Sequence, residues 1–207
     1  HPDMDAIGAS IGVRKMAAMN NVEGYIVVNF EQLNGSVSRL MDELKERSSF
    51  YDSFVSVEEA LSQITPNSLL VIVDTHKPSL VIDERLFSRV DKVVVIDHHR
   101  RGEEFVKNPT LVYMEPYASS TAELVTELLE YQPKNDKLTM HESTALLAGI
   151  IVDTKSFTLR TGARTFEAAS YLRTNGADTT LVHRLLKEDV HTYVERSKIV
   201  QTVDFIR

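Results

Sequence analysis

The sequence predicts an α/β fold, a doubly wound and mainly parallel sheet with helices on both faces. Short apolar runs alternate with helix-like segments along the chain, which is the pattern of such sheets. The run Val93–Ile96 contains only β-branched residues, which is typical of a strand buried on both faces. Three apolar runs each end in an aspartate, at Asp74, Asp97 and Asp153. These runs therefore predict acids gathered at one rim of the fold.

The first half of the chain predicts mixed helices and strands. Helices are expected over 6–20, 36–47 and 57–66, and strands over 25–29 and 54–55. The segment 36–47 is amphipathic, because its apolar residues follow the i, i+3, i+4, i+7 spacing. Gly8 and Gly12 lower helix propensity, so we expect them to allow close approach to a neighbour. No strand precedes the first acids, so the first strand of the fold is expected upstream of residue 1.

The second half predicts three more strands and several helices. Strands are expected over 69–74, 92–97 and 110–114, and helices over 83–90, 121 onward, 164–175, 179–187 and 191–206. Ser120 and Glu123 form a possible capping box, although the exposed N–H groups at this helix start could instead bind an anion. Gly176 is the expected residue after a helix. Periodicity does not separate helix from strand over 140–152; a buried helix that presents Asp153 is the favoured interpretation.

Composition narrows the class of function. The 207 residues suffice for one sizeable core, and no apolar run approaches the length of a membrane helix. Because cysteine is absent, any metal must use oxygen and imidazole ligands. The formal charge of −7 disfavours broad binding of duplex nucleic acid, which requires basic patches. Divalent cations between acids and substrate would still allow binding of a phosphate ester.

Acids and imidazoles form the candidate site. Its members, grouped by segment, are Asp3 and Asp5, Asp74, Asp97-His98-His99, and Asp153. Such ligands suit Mn²⁺ or Mg²⁺, and two such ions would relieve the repulsion between the carboxylates and activate a water. His99 would donate a proton or hold a phosphate oxygen. The alternatives are that Asp97–His99 is an ordinary polar loop and that Asp3 is only a helix N-cap.

Two neighbouring features stay open. His76 is either a ligand or an orienting partner of Asp74. Arg100 and Arg101 either grip phosphate or form a solvated basic pair.

The motifs together resemble the DHH phosphoesterase superfamily. Asp97-His98-His99 combines with Pro2-Asp3-Met4-Asp5-Ala6-Ile7-Gly8, Val73-Asp74 and Val152-Asp153-Thr154. The runs Asp-Thr-His-Lys-Pro and Ile-Val-Asp-Thr-Lys-Ser-Phe narrow the resemblance to the membrane-anchored cyclic-di-AMP phosphodiesterases of Gram-positive bacteria. The resemblance implies Mn²⁺-dependent hydrolysis of cyclic di-AMP to the linear dinucleotide.

The resemblance also implies a role for each site residue. Asp74 would bridge two Mn²⁺ ions, with Asp3 on one ion. Asp5, His98 and Asp153 would hold the other. Asp97 would orient a ligand imidazole, and His99 would face the substrate phosphate. The family's further ligand histidine is expected upstream of Pro2, and His1 does not fill that place.

The expected organisation is part of a longer protein. Residues 1–189 are interpreted as the metal-binding catalytic domain, and 190–207 as a connecting helix toward a substrate-binding domain beyond the chain. The parent would lie at the cytoplasmic face of the membrane through N-terminal helices, and could form a homodimer. The alternative substrates are short RNA oligomers, 3′-phosphoadenosine 5′-phosphate and pyrophosphate. The alternative to an enzyme is a metal-stabilised, nucleotide-binding regulatory fragment.

Overall fold

The computed structural model describes residues 2–33, 35–133 and 136–187. Within these residues the helices are α1 (Met4–Met19), α2 (Gly35–Arg47), α3 (Val57–Gln63), α4 (Thr121–Glu130), α5 (Met140–Asp153), α6 (Ala163–Thr174) and α7 (Thr179–Leu186). The strands are β1 (Ile26–Val27), β2 (Phe54–Val55), β3 (Leu69–Val73), β4 (Lys92–Asp97) and β5 (Leu111–Met114). The predicted α/β class is confirmed.

All the strands pair in parallel, as predicted. Their hydrogen bonds place them in two sheets, β1 with β2, and β3-β4-β5 with β4 in the centre. In the larger sheet Val73 lies opposite Ile96, so β3 and β4 end side by side. The backbone N–H of Asp74 donates to the Ile96 carbonyl at 2.9 Å. This register brings the residues that follow β3 and β4 to one rim.

The two faces of the larger sheet are covered differently. Val73 and Ile96 face the main core, which contains residues of α1, α4 and α5. Ile72 and Val95 face the other way, where loop residues pack on them. The short helix α3 lies against Leu70 on that second side. The long helices that carry the site are therefore all on one face.

At Gly8 and Gly12, helix α1 approaches its neighbours too closely to leave room for a side chain. A Cβ on Gly8 would lie 2.6 Å from the Ala145 carbonyl oxygen of α5. A Cβ on Gly12 would lie 2.5 Å from Cγ1 of Val125 in α4. Neither distance is compatible with a side chain, so the predicted close approach is confirmed. This contact holds the start of α1 beside the rim of the sheet.

Most of the predicted elements are present. Residues 140–152 are helical, and the segment is buried almost all round, which explains why its apolar residues show no clear helical period. Ser120 caps α4 through the Glu123 N–H, but the Glu123 carboxylate accepts from Ser119 rather than closing the box on Ser120. Gly176, with φ of 91°, follows α6 as expected.

One predicted helix is wrong. Within 83–90 the structure contains only a 3₁₀ turn, Glu84–Leu86. The Asp83 carboxylate accepts from both the backbone N–H and the guanidinium of Arg85, which favours a tight turn over a longer helix. The helix predicted over 191–206, and with it the connecting segment 190–207, lies outside the described residues.

Candidate metal centre

Three predicted ligand carboxylates converge on a ring nitrogen of a fourth predicted ligand, His98. The Nε2 atom of His98 lies 3.1 Å from Asp153 Oδ2, 3.6 Å from Asp74 Oδ1 and 3.8 Å from Asp5 Oδ2. Asp5 comes from α1, Asp74 follows β3, His98 follows β4, and Asp153 ends α5. We call these four residues the carboxylate cluster. Segments far apart in the sequence thus deliver their side chains to one point.

Helix α4 fixes the Asp5 carboxylate. The backbone N–H groups of Thr121 and Ala122 donate to its two oxygens, each at 2.8 Å. The Thr121 hydroxyl also donates to Asp74 Oδ1 at 3.0 Å. Thr121 was not among the predicted site residues, although exposed N–H groups at the start of its helix were expected either to be capped or to bind an anion. The anion bound there is the Asp5 carboxylate.

Gly149 lets α5 approach the same carboxylate. A Cβ at this position would lie 3.0 Å from Cα and 3.1 Å from Oδ1 of Asp5. The sequence analysis missed this residue too. A glycine inside an apolar helix lowers helix propensity, so its presence was a signal of close packing.

Asp74 has an unusual backbone. Its φ is 62°, in the left-handed region that residues other than glycine seldom adopt. The hydrogen bond from its N–H to Ile96 holds the chain in this turn as it leaves β3. Such strain is typical of functional positions, and here it turns the carboxylate toward His98.

The electrostatics indicate that the cluster lacks positive charge. Burial and the nearby charge of Asp5 raise the pKa of Asp74 far above its usual value. Burial and the charge of Asp153 raise the pKa of Asp5. Burial would lower the pKa of His98, but the carboxylates of Asp153 and Asp5 outweigh it and raise the pKa. Crowded carboxylates of this kind are relieved by a cation.

The donor set fits a divalent metal. Within the described residues, neither ring nitrogen of His98 makes a hydrogen bond, although Nε2 is buried and faces carboxylate oxygens. One ligand atom from each of Asp5, His98 and Asp153 lies within 4.8 Å of the other two. The same is true of Asp74, His98 and His99. Oxygen with imidazole nitrogen suits Mn²⁺ and related ions.

Asp3 is the predicted ligand that stands apart. It is exposed and caps α1, with its side chain accepting from the Ala6 N–H at 3.0 Å. Asp3 therefore serves as an N-cap, and its role as a metal ligand stays a prediction. Its charge still contributes to the raised pKa of Asp74, so the two carboxylates interact electrostatically.

A second group of polar residues adjoins the cluster, and hydrogen bonds join its members to one another. The Gly102 N–H donates to His76 Nε2 at 3.1 Å, so the His76 proton is on Nδ1, which lies 2.6 Å from Asp97 Oδ2. The other oxygen of Asp97 binds Nδ1 and the backbone N–H of His99, at 2.7 and 3.0 Å. We call Gly102, His76, Asp97 and His99 the histidine relay.

The relay changes two expectations. Asp97 was expected to orient a ligand imidazole, but its oxygens bind His76 and His99 instead of the cluster residue His98. His76 was expected to be a ligand or a partner of Asp74, but its two nitrogens bind Asp97 and Gly102. Asp97 thus orients the imidazole of His99, which is itself close enough to Asp74 and His98 to share an ion, and not the imidazole of His98. The expectation for His76 was wrong, because sequence spacing shows which residues share a rim and not which of them form pairs.

A cavity of about 1000 Å³ lies over both groups. His98, His99 and Arg100 line it, together with residues from the loop after α5. Arg101 is engaged elsewhere, with its guanidinium carbon 4.4 Å from the Phe105 ring centroid. Of the predicted basic pair, Arg100 therefore faces the cavity and Arg101 covers an aromatic ring. His1 lies outside the described residues.

No helix in the described ranges is long and apolar enough to cross a bilayer.

Comparison with known proteins gives relatives that share most of this chain. It is 62% identical over 200 residues to the cyclic-di-AMP phosphodiesterase GdpP of Bacillus subtilis (strain 168), covering 97% of the chain and 30% of that relative. It is 55% identical over 204 residues to the cyclic-di-AMP phosphodiesterase PdeA of Listeria monocytogenes serotype 1/2a (strain 10403S), covering 99% and 31%. The chain thus spans about a third of these relatives' length.

A solved structure supports the fold. An exopolyphosphatase-related protein from Bacteroides fragilis superposes with a TM-score of 0.75 at 19% identity, over 99% of this chain and 59% of that one. The model of the DHH family, N-terminal domain, matches residues 1–150, the stretch that contains Asp5, Asp74 and His98 but stops short of Asp153. With this match over more than half of its length, the chain belongs to the DHH family.

Proposed function

We propose that this chain is the metal-binding catalytic part of a Mn²⁺-dependent phosphodiesterase that hydrolyses cyclic di-AMP to the linear dinucleotide. The convergence of three buried or half-buried carboxylates on the unbonded Nε2 of His98 carries the proposal. The names of the relatives GdpP and PdeA support the substrate. The family membership supports dependence on a divalent metal.

The cluster would hold the cations. Asp5, His98 and Asp153 have ligand atoms close enough to share one ion. Asp74 lies beside them and is proposed to bind this ion together with a second one. Asp3 would be a further ligand of the second ion. When bound, two such cations offset negative charge on the phosphate and supply an activated water. Thr121 would hold Asp74 in place, because its hydroxyl donates to Oδ1.

His99 is the proposed substrate-facing residue. Its side chain is 52% exposed and lines the cavity. Asp97 accepts from its Nδ1–H, so Nε2 is left to donate to a phosphate oxygen or a leaving oxygen when the ring is protonated. Asp97 acts through His99 and is therefore a positioning residue. Arg100, at the cavity wall, provides positive charge for an anionic substrate.

The domain organisation and the location of the parent protein are part of the same proposal. The catalytic domain is assigned to 1–189, and the substrate-binding domain and membrane helices to regions outside this chain. The parent is placed at the cytoplasmic face of the membrane. The homodimer and the absence of duplex nucleic acid among its partners stay predictions.

The test is a comparison of hydrolysis rates with the natural protein at its full length. In Mn²⁺, cyclic di-AMP is expected to be cleaved to the linear dinucleotide faster than the linear dinucleotide, 3′-phosphoadenosine 5′-phosphate or pyrophosphate is cleaved. His98→Ala should abolish turnover. His99→Ala should lower turnover while the thermal stabilisation by Mn²⁺ persists, because His99 is bonded to Asp97 and not required to hold the ion.

Two results would contradict the proposal. Faster cleavage of one of the other substrates would move the protein to the alternative substrate class. Binding of cyclic di-AMP without cleavage would leave a regulatory, nucleotide-binding fragment in place of an enzyme.

A further inference from the structure

We propose that Tyr117, Phe157 and Phe166 form a subsite on which a base of the dinucleotide stacks while a phosphate lies at the carboxylate cluster. We call these three residues the aromatic rim. The inference rests on the proposed function, because it takes the substrate to be a dinucleotide, and it adds the part of the protein that recognises the base.

The rim and the cluster share one space. The cavity of about 1000 Å³ that is lined by Asp74 and His98 is also lined by Tyr117, Phe157 and Phe166. Its volume is at the upper end of roughly 300–1000 Å³, the usual range of small-ligand pockets. A ligand whose phosphate lies at the cluster therefore has continuous room toward the rim.

Two of the rim rings are presented to solvent, whereas Phe157 is half-buried and packs partly against the main core. Phe157 and Phe166 stack on each other, with ring centroids 5.4 Å apart and planes at 20°. Phe166 is 56% exposed and Tyr117 is 93% exposed. Aromatic rings left open at the wall of a cavity are the usual platform for bases, since every base has a face that can stack.

The backbone that carries Phe157 is held in an unusual conformation. Lys155, Ser156 and Phe157 all have positive φ, between 46° and 62°. The Phe157 N–H donates to the Thr154 hydroxyl at 3.0 Å, and Thr154 is fully buried directly after Asp153. One short segment therefore sets both a cluster carboxylate and a rim ring, which is the arrangement expected where strain serves a site.

The second ring is anchored from another direction. Phe166 lies in the first turn of α6, and Arg164 two residues earlier binds both oxygens of Glu127 in α4 at 2.7 Å. Arg160 lines the same part of the cavity and adds positive charge beside the rings. Fixed rings next to a guanidinium match an anionic ligand that carries a flat base.

The direct test introduces a fluorescent ring into the rim. The chain contains no tryptophan, so Phe166→Trp provides the sole indole of the 207-residue chain. With Mg²⁺ present, adding cyclic di-AMP is expected to quench the indole emission, while inorganic phosphate should leave it unchanged. Tyr131→Trp is the matched control, because Tyr131 is 87% exposed at the far end of α4. Equal responses of the two variants, or quenching by phosphate alone, would overturn the subsite.

Kinetics provide the second arm. In the full-length protein, Phe166→Ala and Tyr117→Ala should each raise KM for cyclic di-AMP by about 5- to 100-fold, the usual effect of removing one stacking ring. The kcat and the stabilisation by Mn²⁺ should change little, and Tyr131→Ala should match the unmodified protein. Unchanged KM in both rim variants would overturn the inference.

The two proposals fail in different ways. If the unmodified protein does not cleave cyclic di-AMP, the proposed function fails, and the fluorescence arm still decides whether the rim binds a base. If cleavage is intact and the rim variants behave like the control, only the subsite fails.

Discussion

Asp97 and His98 are neighbours in the sequence, yet their side chains meet opposite environments. Both oxygens of Asp97 are bonded to imidazoles of the histidine relay. Within the described residues the nitrogens of His98 make no hydrogen bond, and Nε2 faces the carboxylate cluster. The Asp97 carboxylate thus has hydrogen-bond partners at both oxygens, whereas the ring of His98 has none among the described residues.

The pKa directions follow the same division. Burial acts to raise the pKa of Asp97, but the bonds from His99 and His76 outweigh it and lower the pKa. In the cluster, burial and neighbouring carboxylates raise the pKa of both Asp74 and Asp5. The acid of the relay is thus balanced by its two imidazole partners, whereas the crowding of the cluster carboxylates favours a cation between them.

The largest expected effect comes from Asp74→Asn. Asparagine keeps the size of the side chain and tolerates the positive φ, so the change removes charge with little distortion. Mn²⁺-dependent activity should be lost, and Mn²⁺ should no longer raise the melting temperature. The metal-free protein should gain roughly 1 kcal/mol or more of stability, because a buried acid whose pKa is raised in the folded state is replaced by a neutral amide. Thermal unfolding with and without Mn²⁺ measures both effects.

A change of stability in the opposite direction would contradict the contrast between the cluster and the relay. If Asp74→Asn lowered the stability of the metal-free protein, the cluster would be a stabilising network like the relay.

Removing His76 should act on turnover without affecting metal binding. His76→Leu leaves one oxygen of Asp97 without its partner, so His99 loses its fixed orientation. Loss of an orienting partner typically costs about 10- to 100-fold in activity, which we expect in kcat. His76→Asn is the matched control, since its amide can replace Nδ1 as the donor to Asp97, and most of the activity should return. The stabilisation by Mn²⁺ should persist in both variants; its loss would place His76 among the metal-holding residues.

The pH dependence of stability should separate the two regions. Asp74 and Asp5 have raised pKa values in the folded state, so the folded protein binds more protons than the unfolded chain above about pH 4. Stability of the metal-free protein should therefore fall as pH rises from about 5 to 8, by roughly 1–2 kcal/mol. The raised pKa of His98 acts in the same direction. Asp97 has a lowered pKa, and its contribution is lost only below about pH 4.

Denaturant unfolding at several pH values measures this trend. Saturating Mn²⁺ should reverse it, because metal binding requires the deprotonated ligands. A flat profile without metal would contradict the charge imbalance assigned to the cluster.

The smallest effect is expected at Arg101. Its guanidinium covers Phe105, whose ring stacks on His76 at 5.3 Å. Arg101→Met should cost less than about 1 kcal/mol of stability and leave KM for cyclic di-AMP unchanged. Arg100→Met is the matched comparison, because Arg100 lines the cavity, and should raise KM. If the two variants exchanged these effects, the assignment of the pair would be reversed.

Periodicity and strand-terminal acids were sufficient to predict the elements and the shared rim. The parallel strands β3 and β4 and the approach of α1 through Gly8 were predicted, because each has a local pattern or a glycine that explains it. Helix α5 was favoured over a strand although its apolar residues show no clear period. The 3₁₀ turn at 84–86 was missed, because it depends on how Arg85 binds Asp83 and Glu58.

The pairing of the site residues could not be predicted in the same way. The bond from His76 to Asp97 and the contacts of Thr121 with Asp5 and Asp74 join residues from separate segments. Sequence spacing alone gives no measure of such contacts. The members of the cluster were predicted because each is a type of side chain that binds metal. The pairing within the relay was not predicted, because it depends on contacts between separate segments.

The most direct test of the central claim is anomalous diffraction at the manganese absorption edge from crystals grown with Mn²⁺. The account predicts an anomalous-difference peak between Asp5, His98 and Asp153, with Asp74 beside it. No such peak is expected at the histidine relay. A peak next to His76 and Asp97, or no peak at the cluster at millimolar Mn²⁺, would contradict it.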